Sequence, residues 1–327
     1  MIIKKFHGGS MASTFLIKEN DTLLVRKEVS GNGKLNVDKL KKQYEWIVEL
    51  EDEIRSKFPI IYNYDFREDY GQYTMEYLEL NSFRDELLTQ DKLSNENKIV
   101  IDEIIKICKE ISSKSIEYSQ GKQYILNKHF NKMFERCNMV NDTYFKSIMS
   151  SEYLVINGVK MKNLKQLLTE LNEFIDILSP KCLNRSHGDY TFQNIMVGNN
   201  DIKIIDPRGE GYDPIYYDIS KLLQSCHGKY DLMIPNNYEC TFEDNNIEYK
   251  FYKGYEMFEE IYEYIINVIG STFNLDTKWH LISKFYEGSH FISMVPFRYK
   301  ESLENTILAY SIGIEILNGV LKELKGE

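Results

Sequence analysis

The hydrophobic pattern changes character once along the chain. Over the first 78 residues apolar positions come in short alternating runs, which predicts strands at Ile2–Phe6, Thr14–Lys18, Thr22–Val29, Ile60–Phe66 and Gln72–Glu76. Glu19-Asn20-Asp21 and Asp69-Tyr70-Gly71 supply turn chemistry between consecutive pairs, so two hairpins of a mainly antiparallel sheet are expected. Between the hairpins, after Ser30-Gly31-Asn32-Gly33, the pattern predicts a helix over Val37–Ser56 that stops before Pro59. From Asn81 onward the apolar spacing is helical, as at Ile101, Ile104, Ile105 and Cys108. It predicts helices over Glu96–Ser112, Asn163–Leu178, Ile247–Ile269, Lys278–Ser293 and Glu301–Leu324. Arg185–Gln224 interrupts this run. It is rich in Gly, Asp, Asn and Pro around two apolar stretches, Ile195–Val197 and Ile202–Ile205, and reads as a loop followed by a small hairpin. The expected class is α+β, with an antiparallel-sheet lobe carrying one helix at 1–78 and a larger helical lobe at 79–327.

Composition narrows the functional classes. The 327 residues are 43% hydrophobic and 28% charged, the usage of a folded globular chain, and the length favours two lobes around a cleft over a single core. Asp and Glu outnumber Lys and Arg 50 to 40, a formal charge of −10, which argues against nucleic acid as the partner. A small substrate remains, and an acidic balance suits a cationic one, although net charge locates no pocket. The five cysteines are odd in number and widely spaced, as in a reducing compartment. No signal-like or membrane-length apolar run occurs, so a cytoplasmic protein without a membrane partner is expected.

The candidate chemistry lies in Arg185-Ser186-His187-Gly188-Asp189-Tyr190-Thr191-Phe192-Gln193-Asn194-Ile195-Met196, followed by Ile202-Lys203-Ile204-Ile205-Asp206-Pro207. A carboxylate is followed five residues later by an amide and twelve residues beyond that by a second carboxylate. Phosphoryl transfer from Mg·ATP needs such groups: a carboxylate to orient and deprotonate the attacking hydroxyl, and oxygen ligands for magnesium between the phosphates. His-Gly-Asp-x-x-x-x-Asn-Ile with a later Ile-Asp-Pro resembles the aminoglycoside phosphotransferase and choline kinase family, small-molecule kinases related to the protein kinases. The resemblance implies a protein-kinase-like fold, ATP and Mg²⁺ as cofactors, and a small-molecule hydroxyl acceptor such as a sugar, amino alcohol or aminoglycoside. It implies Asp189 as catalytic base, Asn194 and Asp206 as metal ligands, and Asp218, in Tyr217-Asp218-Ile219-Ser220-Lys221, as a brace for the catalytic loop. Those segments further resemble kinases of metabolic or surface-polysaccharide precursors. A catalytically silent nucleotide-binding module of the same fold, and a metal-dependent hydrolase built on His187, Asp189 and Asp206, are the competing classes.

The N-terminal lobe supplies a second test, because a nucleotide needs a phosphate cradle and a cation. His7-Gly8-Gly9-Ser10-Met11-Ala12-Ser13-Thr14-Phe15 is a small-residue turn in which Gly8, Gly9, Ser10 and Ser13 can bring backbone N–H groups to phosphate oxygens. In Thr22–Val29 the positions Leu23, Val25, Lys27 and Val29 share one face, so Lys27 is the inward cation and Arg26 the competing one. Helical projection turns Gln43 toward the same interior, with Glu51 as a second candidate partner for that lysine. By resemblance, Met75, Glu76 and Leu78 line a kinase hinge that holds the purine. Metal spacing of the His-Glu-x-x-His kind is absent. Tyr255, Glu259, Trp279, His290 and Arg298 are residues of the C-terminal helices that an acceptor could touch.

Overall fold

A computed structural model of the chain describes residues 1–6, 12–30, 34–198 and 201–327. Gly8, Gly9 and Ser10, the proposed phosphate cradle, lie outside the described residues. The chain is α+β, with an antiparallel sheet at the front and a mainly helical body behind.

The front sheet comprises β1 (Ile2–Phe6), β2 (Ser13–Glu19), β3 (Thr22–Ser30), β4 (Ile61–Phe66) and β5 (Tyr70–Glu76), ordered β1-β2-β3-β5-β4. The predicted hairpins are present, and Asn20 and Asp21 turn the β2–β3 hairpin with positive φ, which Asn and Asp tolerate better than most residues. Helix α1 (Lys34–Val48) crosses behind the sheet. Its first half packs Val37 and Leu40 against Val25, Val29, Tyr73 and Met75, while Trp46, Ile47 and Leu50 join a different core with Phe83, Ile101 and Phe192. The helix therefore belongs to both halves of the molecule. It also ends earlier than Ser56: after Val48 the chain leaves the helix, and α2 (Asp52–Arg55) is a separate turn. The Arg55 guanidinium donates to the Val48 and Leu50 carbonyls at 3.1 and 3.4 Å, which satisfies the helix end that sequence periodicity ran through.

The body opens with β6 (Asn81–Ser82), α3 (Phe83–Leu88), α4 (Asn95–Ile111), β7 (Ser115–Glu117), α5 (Gly121–Ile125), a π-helical stretch Leu126–Asn131, α6 (Lys132–Asn138) and α7 (Thr143–Ser150). It continues with β8 (Tyr153–Ile156), β9 (Val159–Lys162), α8 (Leu164–Leu171), α9 (Ile175–Leu178), β10 (Cys182–Arg185), β11 (Ile195–Gly198), β12 (Asp201–Ile204) and β13 (Tyr212–Asp213). Then come α10 (Ile215–Cys226), α11 (Tyr230–Met233), β14 (Tyr238–Glu243), β15 (Asn246–Phe251), α12 (Tyr255–Thr272), α13 (Trp279–Arg298) and α14 (Leu303–Lys325). Three small sheets order β13-β10-β7, β12-β11-β6 and β14-β15-β8-β9.

Two helical expectations are corrected. Ile247–Ile269 begins as strand: Ile247, Tyr249 and Phe251 point inward at period two against β14, and the helix starts only after Gly254 at φ +93°. Asn163–Leu178 is broken by a 3₁₀ turn at Asn172–Phe174, where Phe174 leaves helical geometry. No helix among the described residues is long and apolar enough to cross a membrane.

Candidate active site

Strand β10 delivers the chain into a loop whose conformation is imposed from α10. The backbone N–H groups of His187 and Gly188 both donate to the Asp218 carboxylate, at 2.8 Å each. Gly188 has φ +80°, and a Cβ there would meet the Arg208 side chain at 2.8 Å, so both conformation and space require glycine. Burial pushes the Asp218 carboxyl up to about 6, against the pull of those two N–H groups. Two turns further along α10, Ser225 Oγ accepts the Phe192 N–H at 3.1 Å.

His187 ties the two carboxylate-bearing segments to one ring. Its Nδ1 accepts the Asp189 N–H at 3.2 Å, and its Nε2 lies 2.9 Å from the Ile205 carbonyl, which fixes a neutral imidazole with its proton on Nε2. Burial lowers the imidazole to about 4. The ring packs edge-on to Trp46 at 6.0 Å and stacks on Phe58 at 6.3 Å, so residues after β3 clamp the loop from the front.

Asp189 is half-exposed. Asn194 donates its amide to the Asp189 carbonyl at 2.8 Å and to Oδ2 at 3.0 Å. With both amide hydrogens spent on oxygens, the amide orientation is set and Asn194 Oδ1 is left without a hydrogen bond among the described residues. Lys221 Nζ stands 3.1 Å from Asp189 Oδ1. Burial alone would raise the Asp189 carboxyl; Lys221, with His187 and Arg208, outweighs it and holds the group below the usual carboxylate range.

Asp206 follows β12 with φ +61°, a left-handed conformation uncommon for a side-chain-bearing residue. Its carboxylate pairs with Lys27 across the seam between front sheet and body. Lys27 is 3% exposed, on the inner face of β3 opposite Tyr73. Burial would lower the ammonium, but Asp206 together with Tyr73 leaves it raised above the ordinary lysine range. Arg26 lies on the other face, 2.9 Å from Glu28 and over the Phe15 ring, so alternation along β3 decides between the two cations.

The other candidates divide. No hydrogen bond joins Gln43 to Lys27 among the described residues; the backbone at Lys42 and Gln43 instead lies so close to Gly209 that a Cβ there would sit 2.6 Å from it. Glu51 is also removed from Lys27: it binds Arg185 at 2.7 Å and Lys114 at 2.5 Å, because α1 has ended before it. Ser13 starts β2 opposite Glu28. Met75 lies within β5 and is buried in the front core, and the chain from Tyr77 to Leu80 is an irregular connector between β5 and β6. Glu76 accepts the Ile60 N–H at 3.2 Å, and the Leu78 N–H has no backbone partner among the described residues. In the C-terminal helices Glu259 pairs with Lys229, Tyr255 lies under the same ammonium, Arg298 pairs with Glu301 at 3.0 Å, Trp279 packs on His280, and His290 packs edge-on to Tyr217. Lys221 was missed as a site residue, yet it lies three positions after Asp218 and so on the same helical face toward the loop.

No family model matches the chain, and no curated protein does. Solved structures do. A choline/ethanolamine kinase family protein from Mesorhizobium loti superposes with TM-score 0.55 at 7% identity, over 98% of this chain and 92% of that one. The chain has a protein-kinase-like fold. A spectinomycin phosphotransferase, solved with ADP and spectinomycin, aligns with TM-score 0.49 at 12% identity over 97% and 92% of the two chains. Within the kinase-like fold the site lies at the seam, where β3 meets the loop after β10 and the segment after β12.

The donor set fits magnesium held mainly by phosphates. Asn194 Oδ1 and the Asp206 carboxylate are two hard oxygen donors, and no cluster of three His, Cys, Asp or Glu side chains among the described residues forms an all-protein metal cage.

Proposed function

We propose that the chain is an ATP- and Mg²⁺-dependent phosphotransferase that moves the γ-phosphate to a hydroxyl of a small molecule, with nucleotide held between residues 1–78 and 79–327. The carrying observation is that His187 sets the Asp189 and Ile205-Asp206 backbones on opposite edges of one imidazole, while Lys27 reaches Asp206 from the front sheet. Lys27 would bind the α- and β-phosphates, and Asn194 and Asp206 would hold the metal, which when bound neutralises charge on the phosphates. Asp189, ionised at neutral pH, orients the acceptor hydroxyl and takes its proton. Met75 lines the purine pocket, with the Glu76 carbonyl and Leu78 N–H facing the base edge. A sugar, amino alcohol or aminoglycoside is the acceptor class, in a metabolic or surface-polysaccharide precursor pathway of the cytoplasm.

Intact Asp189, Asn194 and Asp206 disfavour a silent nucleotide-binding module. The hydrolase reading loses its histidine ligand, since both His187 nitrogens are committed to backbone. Screening hydroxyl acceptors for Mg·ATP-coupled ADP release tests the proposal. Asp189→Asn should lower kcat by about 10²- to 10⁴-fold while nucleotide affinity stays within about twofold; unchanged turnover refutes Asp189 as base.

A further inference from the structure

The charge around Asp189 opposes that of the whole chain. Besides Lys221, the Arg208 guanidinium stands near it, anchored to Glu210 at 2.5 Å and to the Tyr217 hydroxyl, while the Arg208 N–H binds the His187 carbonyl at 2.8 Å. Glu210 is shared with Lys128, at 3.7 Å. Lys128 and Lys132 lie four residues apart where the π-helical stretch passes into α6, and such π segments occur frequently at functional sites.

Lys132 is half-buried and makes no hydrogen bond or ion pair among the described residues. Burial first, then Arg208 and Lys221 against the opposing pull of Glu210, bring its ammonium down to about 8. Lys128, Lys132 and Arg208 thus gather about Glu210, Lys221 and Arg208 about Asp189, and Arg136 adds a further cation beside Lys132; even counting Asp213 as ionised, five cations meet three anions. The adjoining imidazoles of His129 and His290 are kept neutral by burial and by these same cations, and the buried Nε2 of each lacks a partner. All the elements involved belong to the body, whereas Lys27 and Asp206 serve the front sheet.

The geometry points to an acceptor that carries, besides its reacting hydroxyl, an anionic group, carboxylate or phosphate, held by Lys132 beside Lys128 and Arg208. This rests on the phosphotransferase reading. In the transfer the acceptor oxygen bonds to the γ-phosphorus as Asp189 takes its proton, the bond from γ-phosphorus to the β,γ-bridging oxygen breaks, and ADP leaves with that electron pair. Within the acceptor class proposed above, the site therefore favours an acidic or phosphorylated sugar over the amino alcohols and aminoglycosides that the net charge of −10 suits. An unpaired half-buried ammonium is costly in the free protein, and an anion beside it removes that cost.

The test is Mg·ATP-coupled ADP release with four panels: hydroxy and sugar acids, sugar phosphates, the neutral parent sugars, and amino alcohols with aminoglycosides. An anionic acceptor should exceed its neutral parent at least tenfold in kcat/KM, and the first two panels separate carboxylate from phosphate. Lys132→Ala should raise the KM for that acceptor more than tenfold with a smaller change in kcat and in the KM for ATP, and Lys132→Arg should restore most of it. Preference for neutral or cationic acceptors, or a Lys132→Ala effect confined to ATP, overturns the inference. Inorganic phosphate and acetate, added without nucleotide, should raise the Tm of the wild type more than that of Lys132→Ala; equal shifts overturn it. Lys132-dependent anion binding without ADP release in any panel refutes the phosphotransferase reading and leaves the anion site standing.

Discussion

Within the loop from Arg185 to Asn194, the turn is held by short neutral-donor bonds from a single helix: Asp218 takes two backbone N–H groups and Ser225 a third. The front half reaches this loop and the Asp206–Gly209 segment beside it differently. Its links are the Lys27–Asp206 pair, the Arg185–Glu51 pair, the aromatic contacts of His187, and the close backbone approach of Gly209 to α1. The first region is a set of directional bonds shielded from water; the second mixes ion pairs with packing at a partly exposed edge. The carboxylate proposed to accept the proton is thus kept in a fixed frame, while the side proposed to hold the nucleotide is joined through contacts that solvent can replace.

Three substitutions probe that contrast. The largest effect is expected for Asp218→Ala, which strands two buried N–H donors and should cost about 3 kcal/mol of unfolding free energy, with turnover falling in step. A Tm near the wild-type value would show that the loop holds its own shape. Next, Gly209→Ala demands a methyl group at φ +71° and 2.6 Å from the Gln43 backbone nitrogen. It should cost about 2 kcal/mol and raise the KM for ATP more than the KM for acceptor, because it pries α1 from the body. Equal effects on both substrates would erase the distinction between the two regions.

The smallest effect concerns Asp231, which is buried below the loop with neither oxygen hydrogen-bonded and is pushed by burial up to about 7. A carboxyl raised in the folded state adds stability that is full below its unfolded pKa, near 4, and is lost as pH rises through about 7. Asp231→Asn never ionises there, so it should match the wild type near pH 4 and exceed it near pH 8 by on the order of 1–2 kcal/mol. His187 and His280, both lowered to about 4 by burial, act with opposite sign in the same window, so the variant-minus-wild-type difference in denaturant midpoints is the quantity to follow.

Much of the front half was legible because its signals are local. Alternation along β3 put Lys27 inside and Arg26 outside, and turn residues marked both hairpins. The loop was legible for another reason: Asp189, Asn194 and Asp206 sit within eighteen residues of sequence. What escaped depends on distant partners. The end of α1 at Val48 is capped by Arg55, β15 is a strand because β14 and β8 flank it, and Gly209, from far along the chain, packs against the Gln43 backbone. Lys132 had no signal of its own: one lysine in an amphipathic helix looks like any other until the fold sets Arg208 and Lys221 beside it.

The contact between Trp46 and His187 carries an optical consequence. The chain has two tryptophans, and Trp279 sits at the start of α13 against His280, whereas Trp46 is 6% exposed with its ring against the imidazole that joins residues 189 and 205. Emission from a Trp279→Phe variant therefore comes from Trp46 alone, and any change in the packing of α1 against His187 alters the surroundings of that one indole. The molecule contains its own fluorescent gauge of that contact, readable without any attached dye.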